Sequence, residues 1–242
     1  MLLLRLEGVT KRFGGLIANR DISLEVQRGQ IVGLIGPNGA GKTTLFNVIT
    51  GFQKADDGKV LFKGQEITNL SAHAICKKGI GRTFQIVRTF KDMTVLENVI
   101  VGALNRYGST VAAKERALEV LDLIQLGADP ETKASALTFV NQRRLELARA
   151  LATEPELLLL DEMMAGLNNT EIKEVTDLLR RIRDRGITLF IVEHVMEAIM
   201  PLADRVVVLD FGEKISEGTP SEICSDKAVI EAYLGEQYAR GE

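Results

Sequence analysis

The sequence predicts an α/β protein, a mainly parallel sheet covered on both faces and interrupted by a block of helices. Three observations carry this expectation. "QIVGLIG" (30–36) is a short, wholly apolar run followed at once by a glycine-rich turn and the helix "KTTLFNVITG", which Gly51 stops. From "PELLLLDE" (155–162) onward, strands alternate with helices: helix 169–186, strand "ITLFIVEH", helix "VMEAIMPLAD", strand "RVVVLDFGE". That alternation is what parallel strands joined by crossover helices require. Between these stretches, from about residue 90, "TVLENVIVGAL", "STVAAKERALEVLDLIQLG" and "NQRRLELARALA" all have helical spacing with no strand among them, which marks an insertion.

The remaining elements follow in order. "LLLRLEGVTKRF" and "NRDISLEVQRG" are two strands around a Gly-Gly turn, the second ending at Gly29. "GKVLFKGQEI" returns as one strand, and "SAHAICKKGIGRTFQ" gives a helix from a Ser71 cap, a Gly-Ile-Gly break and a strand ending at Gln85. The tail from Pro220 reads as short helices and a frayed end. The length of 242 residues suits one large domain with an inserted subdomain. Thirty basic against 33 acidic residues, a net charge of −3, argue against a general nucleic-acid binder. Cys76 and Cys224 lie outside any metal-ligand spacing and suit a reducing cytosol. "MLLLRLEGV" is interrupted by Arg5 and Glu7 and reads as a first strand rather than a signal peptide. No apolar run reaches the length of a bilayer span, so membrane association is expected through a partner.

The chemistry concentrates in a few stretches. "GPNGAGKTT" (Gly36 to Thr44) satisfies G-x-x-x-x-G-K-[ST] between a predicted strand and a predicted helix, the context that pattern requires. Its amides, from Gly36 through Asn38 to Thr44, can wrap a phosphate; Gly39 and Gly41 let the backbone come close. Lys42 neutralises the terminal phosphates and the Thr43 hydroxyl suits Mg²⁺. The bland alternative is a glycine-rich turn capping a helix, which the strand–turn–helix context disfavours. Asp161 and Glu162 end a buried strand, where ligands of open α/β sheets bind. Alone, such a pair is usually a solvated turn. Beside a P-loop, Asp161 orients a magnesium shell and Glu162 polarises the attacking water as general base. His194 and Gln85 each end a predicted strand. By default each is a satisfied edge residue; facing a nucleotide, His194 reaches the γ-phosphate and Gln85 reaches metal or water. Phe13, one of twelve aromatics, is core by default and an adenine-stacking face in the alternative.

Taken in order, "GPNGAGKTT", Gln85, "QRRLELARAL", "LLLLDE", "AGLN" and His194 resemble an ABC-transporter ATP-binding subunit, over essentially the whole chain. "GIGRTFQIVRTFKDMTVLENVIVGAL" and the late "AYLGE" resemble more closely the ATP-binding subunits of branched-chain amino acid importers. The resemblance implies a RecA-like P-loop NTPase core (1–86 and 155–220), an N-terminal antiparallel β-subdomain, an inserted α-helical subdomain (87–154) and a C-terminal tail (221–242). It implies ATP and Mg²⁺, a second ABC ATPase subunit paired head to tail, transmembrane permease subunits, and a place at the cytoplasmic face of the cell membrane. Residues 137–142 take the position of the family's Leu-Ser-Gly-Gly-Gln signature. Thr138 keeps a hydroxyl; Val140 puts a β-branched residue where amides approach phosphate, and Asn141 is one methylene shorter than Gln. Met163 and Asn169 stand where the family has proline. Two readings follow: an ATPase energising a permease, favoured by Glu162 and His194, or a nucleotide-operated clamp with little turnover, favoured by the altered signature. A non-transport ATPase of repair or translation fits less well, because the chain has one cassette and no basic run.

Overall fold

The computed structural model describes residues 1–240, with side chains through Tyr233; the last two residues of the expected tail, and the side chains of the late "LGE", lie outside the described residues. Two sheets form the frame. Strands β1 (Leu2–Phe13), β2 (Leu16–Gln27), β4 (Asp57–Phe62) and β5 (Gln65–Glu66) make an antiparallel sheet in the order β2-β1-β4-β5. The second sheet has the order β10-β9-β3-β8-β7-β6, from β3 (Ile31–Ile35), β6 (Ile80–Arg82), β7 (Leu157–Asp161), β8 (Thr188–Val192), β9 (Arg205–Asp210) and β10 (Glu213–Gly218). Five of its strands are parallel and β10 is antiparallel to β9.

Strand periodicity divides the core in two. Leu157, Leu159, Phe190 and Val192 face α1 (Lys42–Ile49), α2 (Ala72–Lys78) and the antiparallel sheet, forming one apolar cluster with Leu45, Phe46 and Ile75. Their neighbours Leu158, Leu160, Leu189 and Ile191 belong to the other cluster. There they join α6 (Asn169–Asp184), α7 (Met196–Ile199), α8 (Pro220–Ser225), the start of α9 (Lys227–Arg240) and the inserted helices. One face of the parallel sheet is thus covered by the antiparallel sheet together with α1 and α2, the other by helices. Alternating side chains let one strand serve both layers.

The insertion consists of α3 (Val95–Ala103), α4 (Thr110–Ile124) and α5 (Phe139–Ala152). The predicted stripe Leu145, Leu147, Ala148 and Leu151 is buried, and Ala113 and Ala117 let α4 approach its neighbours closely. Thr94 and Glu97 cap α3 reciprocally. Asn98, fully buried, accepts from the Phe90 amide at 2.8 Å and donates to the Phe90 and Thr94 carbonyls at 2.9 Å each, pinning the segment that leads into the helices.

Four expectations need correction. The stretch 58–67 is two strands, not one, because Lys63 and Gly64 adopt positive φ and turn the chain. The run from Arg205 is followed by β10, a hairpin turned at Phe211–Gly212. Strand β6 stops at Arg82, three residues before Gln85, since its last ladder bond runs from the Thr83 amide to the Leu159 carbonyl. Strand β8 stops at Val192, two residues before His194, where its partner β7 also ends.

We predict that Asn98→Ala, which leaves the Phe90 and Thr94 groups without their partner, destabilises the chain by about 1–3 kcal/mol. For a domain of this size that lowers the thermal midpoint by about 2–12 °C, to be read by scanning calorimetry. An unchanged midpoint would show that segment 84–94 is held by other contacts.

Candidate functional site

The loop after β3 is shaped by two close backbone approaches. A Cβ at Gly36 (φ +146°) would stand 2.0 Å from the Leu209 carbonyl oxygen, and one at Gly41 (φ +96°) 2.2 Å from that of Ala18. Only glycine fits either place. Asn19, buried on β2, donates to the Gly41 carbonyl at 3.1 Å and ties the antiparallel sheet to the loop. Gly41 is the N-cap of α1, whose first turn carries no acid, so the helix presents free amides and the positive end of its dipole. Lys42 is buried and its Nζ donates to the Gly36 and Pro37 carbonyls at 2.6 and 2.8 Å, spanning the loop. Asn38, Gly39, Gly41, Lys42, Thr43 and Thr44 line a cleft of about 430 Å³ together with Phe13, Gln85 and Glu162. A Cβ at Gly39 would meet no atom within 4 Å.

Phe13, at the end of β1, is half-exposed, with Lys11 Nζ 5.2 Å from its ring centroid. Phe211, in the β9–β10 turn, lines the same cleft with its side chain in solvent and its backbone at φ +43°. Sequence reasoning missed Phe211 because the turn that presents it was read as strand.

Across the cleft, three predicted residues meet on one oxygen. Gln85 Nε2 donates to Glu162 Oε2 at 2.7 Å, and His194 Nδ1 lies 3.9 Å from the same atom. Glu162 stands at φ +51°, a left-handed conformation costly for a side chain of this kind. Its amide donates to the Val192 carbonyl at 2.9 Å, and its carbonyl accepts from Arg143 Nη1 of α5 at 2.5 Å. The fully buried Glu193 accepts from the Met164 amide at 2.7 Å. Burial pushes the Glu193 carboxyl up to about 7; the Met164 amide pulls against that shift and the nearby Glu162 charge adds to it. Arg143 lies in the stretch "QRRLELARAL" and Glu193 in "ITLFIVEH", but nothing in the sequence singled out either side chain.

Asp161 is 1% exposed. Its Oδ2 accepts from Arg82 Nη2 at 2.9 Å, whereas Oδ1 is buried without a hydrogen-bond partner. Burial raises the Asp161 carboxyl above its ordinary range and the Arg82 charge pulls it back. Thr138 and Asn141 stand elsewhere, outside the cleft lining. Thr138 is the N-cap of α5, its Oγ1 accepting from the Asn141 amide at 3.4 Å. Helix α5 therefore starts at Phe139, two residues before the predicted "NQRR", and Val140 lies in its first turn.

Residues 19–165 match the family model described as ABC transporter, and residues 213–239 the one described as branched-chain amino acid ATP-binding cassette transporter. The chain is 42% identical to the high-affinity branched-chain amino acid transport ATP-binding protein LivG of Salmonella typhimurium, over 97% of this chain and 98% of that one. Its fold is similar to the ADP conformation of MJ1267, an ATP-binding cassette of an ABC transporter, with TM-score 0.88, 34% identity and coverage of 97% and 99%. It is also similar to the dimeric post-hydrolysis cassette MJ0796 bound to ADP and Pi, with TM-score 0.81, 27% identity and coverage of 90% and 99%. A cleft built from a glycine-rich strand-to-helix loop and a strand-end carboxylate, and likeness along almost the whole length, agree: the chain belongs to the ABC transporter family of ATP-binding proteins.

Proposed function

We propose that this chain binds and hydrolyses ATP to energise a membrane importer of branched-chain amino acids. The observation that carries the reading is the convergence of Gln85 and His194 on the Glu162 carboxylate at the rim of the P-loop cleft. The loop amides and Lys42 hold the β- and γ-phosphates, and Phe13 stacks on the adenine. Bound Mg²⁺ would supply positive charge that offsets the negative charge of the nucleotide phosphates. The residues fit it: Mg²⁺ takes one or two carboxylates plus phosphate oxygens, and the orphaned Asp161 Oδ1, the exposed Thr43 hydroxyl and Gln85 offer that set. Glu162 accepts the proton of the attacking water, while Gln85 and His194 orient its carboxylate and the water. The solute is inferred from the LivG relative's name.

The same reading gives the chain two partners. A second cassette pairs head to tail, as the dimeric relative suggests, so that Thr138 and Asn141 of one copy face the other copy's P-loop. Permease subunits dock on the helical subdomain (87–154) where it meets the core (1–86 and 155–220). No described helix is long and apolar enough to cross a membrane, and attachment at the cytoplasmic face runs through those permeases. A 360 Å³ cleft lined by Phe84, Arg88, Glu146 and Arg149 lies there, flanked by the exposed Ile86 and Phe90.

The second reading, a clamp with little turnover, is favoured by Val140 in the first turn of α5. A β-branched side chain there holds a partner's phosphate away from the helix amides.

Lys42→Ala is expected to weaken ATP binding at least about tenfold, since hydrogen bonds to charged groups are worth about 1.5–3 kcal/mol. Glu162→Gln is expected to keep binding and lose about 10²–10⁴-fold in hydrolysis. Calorimetry and phosphate release check the pair; wild-type turnover by Glu162→Gln would remove Glu162 as the base. Val140→Gly with Asn141→Gln is expected to raise ATPase activity of the self-paired chain at least about tenfold, because a restored phosphate-binding amide is worth on the order of 10²–10³ in rate. Unchanged turnover, with ATP-driven dimerisation confirmed by light scattering, would show that "TFVNQ" works as it stands. Phe90→Asp is expected to abolish co-sedimentation with membranes carrying the permease while ATP binding stays intact; sedimentation at the wild-type level would place docking elsewhere.

A further inference from the structure

Arg82 is the most heavily engaged polar side chain near the site, and no motif singled it out. Its guanidinium reaches two other elements and the carbonyl of its own neighbour. Nη2 pairs with Asp161 Oδ2 at 2.9 Å on β7; Nη1 donates to Asn47 Oδ1 at 2.6 Å and Thr50 Oγ1 at 3.1 Å, at the far end of the P-loop helix; Nε donates to the Thr83 carbonyl at 3.2 Å. The plane lies 4.9 Å from the Phe84 ring centroid. The side chain is 6% exposed and that of Asp161 1%.

A buried ion pair is by itself weak grounds for stability, because desolvation offsets its attraction. This one has a directional consequence. Every arm of the Arg82 fork is tied to an acceptor, so the plane cannot rotate, and it takes one specific oxygen of Asp161. Oδ2 is consumed; Oδ1, buried and without a hydrogen bond, is the oxygen left to receive a ligand. The acceptors on α1 set that orientation, so the helix that carries Lys42 and Thr43 also dictates how Asp161 stands.

We infer that Arg82 is the positioning residue for magnesium at this site, clamping Asp161 against the P-loop helix so that Oδ1 faces the metal shell. The inference rests on the ATP-binding reading above. Partners that orient a metal ligand from behind are worth about 10–100-fold in metal affinity. The test is calorimetric titration of ATP into the full chain, in EDTA and across a Mg²⁺ series. In Arg82→Gln the Mg²⁺ concentration giving half-maximal tightening of ATP binding is expected to rise at least about tenfold, with ATP affinity in EDTA unchanged. Arg82→Lys, which keeps the charge and loses the fork, is expected to fall between. Asn47→Ala, which frees one arm and leaves the ion pair in place, is expected to shift the Mg²⁺ requirement in the same direction by less.

A purely structural role weakens ATP binding equally with and without Mg²⁺, and that result overturns the inference. So does an unchanged Mg²⁺ requirement in folded Arg82→Gln or, if that variant does not fold, in both Arg82→Lys and Asn47→Ala. ATP binding with unaltered Mg²⁺ dependence removes the role of Arg82 alone; failure of the wild-type chain to bind ATP overturns the functional reading and this inference together.

Discussion

Leu34 pairs with Val192, and Val192 with Asp161, so three parallel strands end at one level. The site depends on that register. Beyond β3 the chain must turn, and it turns through the P-loop into α1. Beyond β7 it passes through Glu162, and beyond β8 through Glu193 to His194. Parallel strands release their C-terminal ends on one side of the sheet, which is why residues 36–44, 161–162 and 194 meet although the insertion separates them in sequence. A slip of one residue in β7 would exchange the sets Leu157/Leu159 and Leu158/Leu160 between the two apolar clusters. The packing of the core therefore guards the geometry of the site.

At the site, several ionisable side chains are withdrawn from water. Lys42, Asp161 and Glu193 are all buried, and Arg82 nearly so. Isolated, each would be expensive. Lys42 is held by loop carbonyls, Arg82 and Asp161 hold each other, and Glu193 accepts the Met164 amide. Fixed partners in a low-dielectric setting keep these groups in one arrangement and strengthen their fields. The left-handed backbone at Glu162 fits the same pattern. Hydrogen bonds from both sides, at its amide and its carbonyl, hold a conformation that the residue would not choose alone.

The cleft between core and inserted helices is lined by arginines, Glu146 and Phe84, with Ile86 and Phe90 exposed beside it. Arg82 and Arg88 lie over the Phe84 ring, 4.9 and 4.7 Å from its centroid, and Arg149 over Phe90 at 4.5 Å. The Arg149 guanidinium also donates to the Arg88 carbonyl. Glu146, buried among these groups, is pushed up to about 7 by desolvation, with the Arg88 amide and the Arg149 charge pulling it down. Arg82 lines this cleft and touches Asp161 as well, so one side chain separates the cleft from the acid at the end of β7.

The sequence by itself determined what depends on neighbours in the chain. The P-loop, the apolar strands β3, β7 and β8, the helical character of 95–152 and the acidic strand end were legible, because turn chemistry and periodicity act over a few residues. Gln85 and His194 were legible as residues but not as positions: where β6 and β8 stop is set by pairing with β7, which a single strand cannot declare. The turn at Lys63–Gly64 and strand β10 were lost for a related reason, since runs with strand-forming residues on both sides of a short turn read as one. Tertiary structure alone decided the rest. Arg82 meets Asp161 across 79 positions, Asn19 meets Gly41 from another sheet, and Arg143 reaches the Glu162 carbonyl from the inserted helices. Each is an ordinary polar residue in its local setting. It takes on its role only when folding removes water and brings its distant partners within reach.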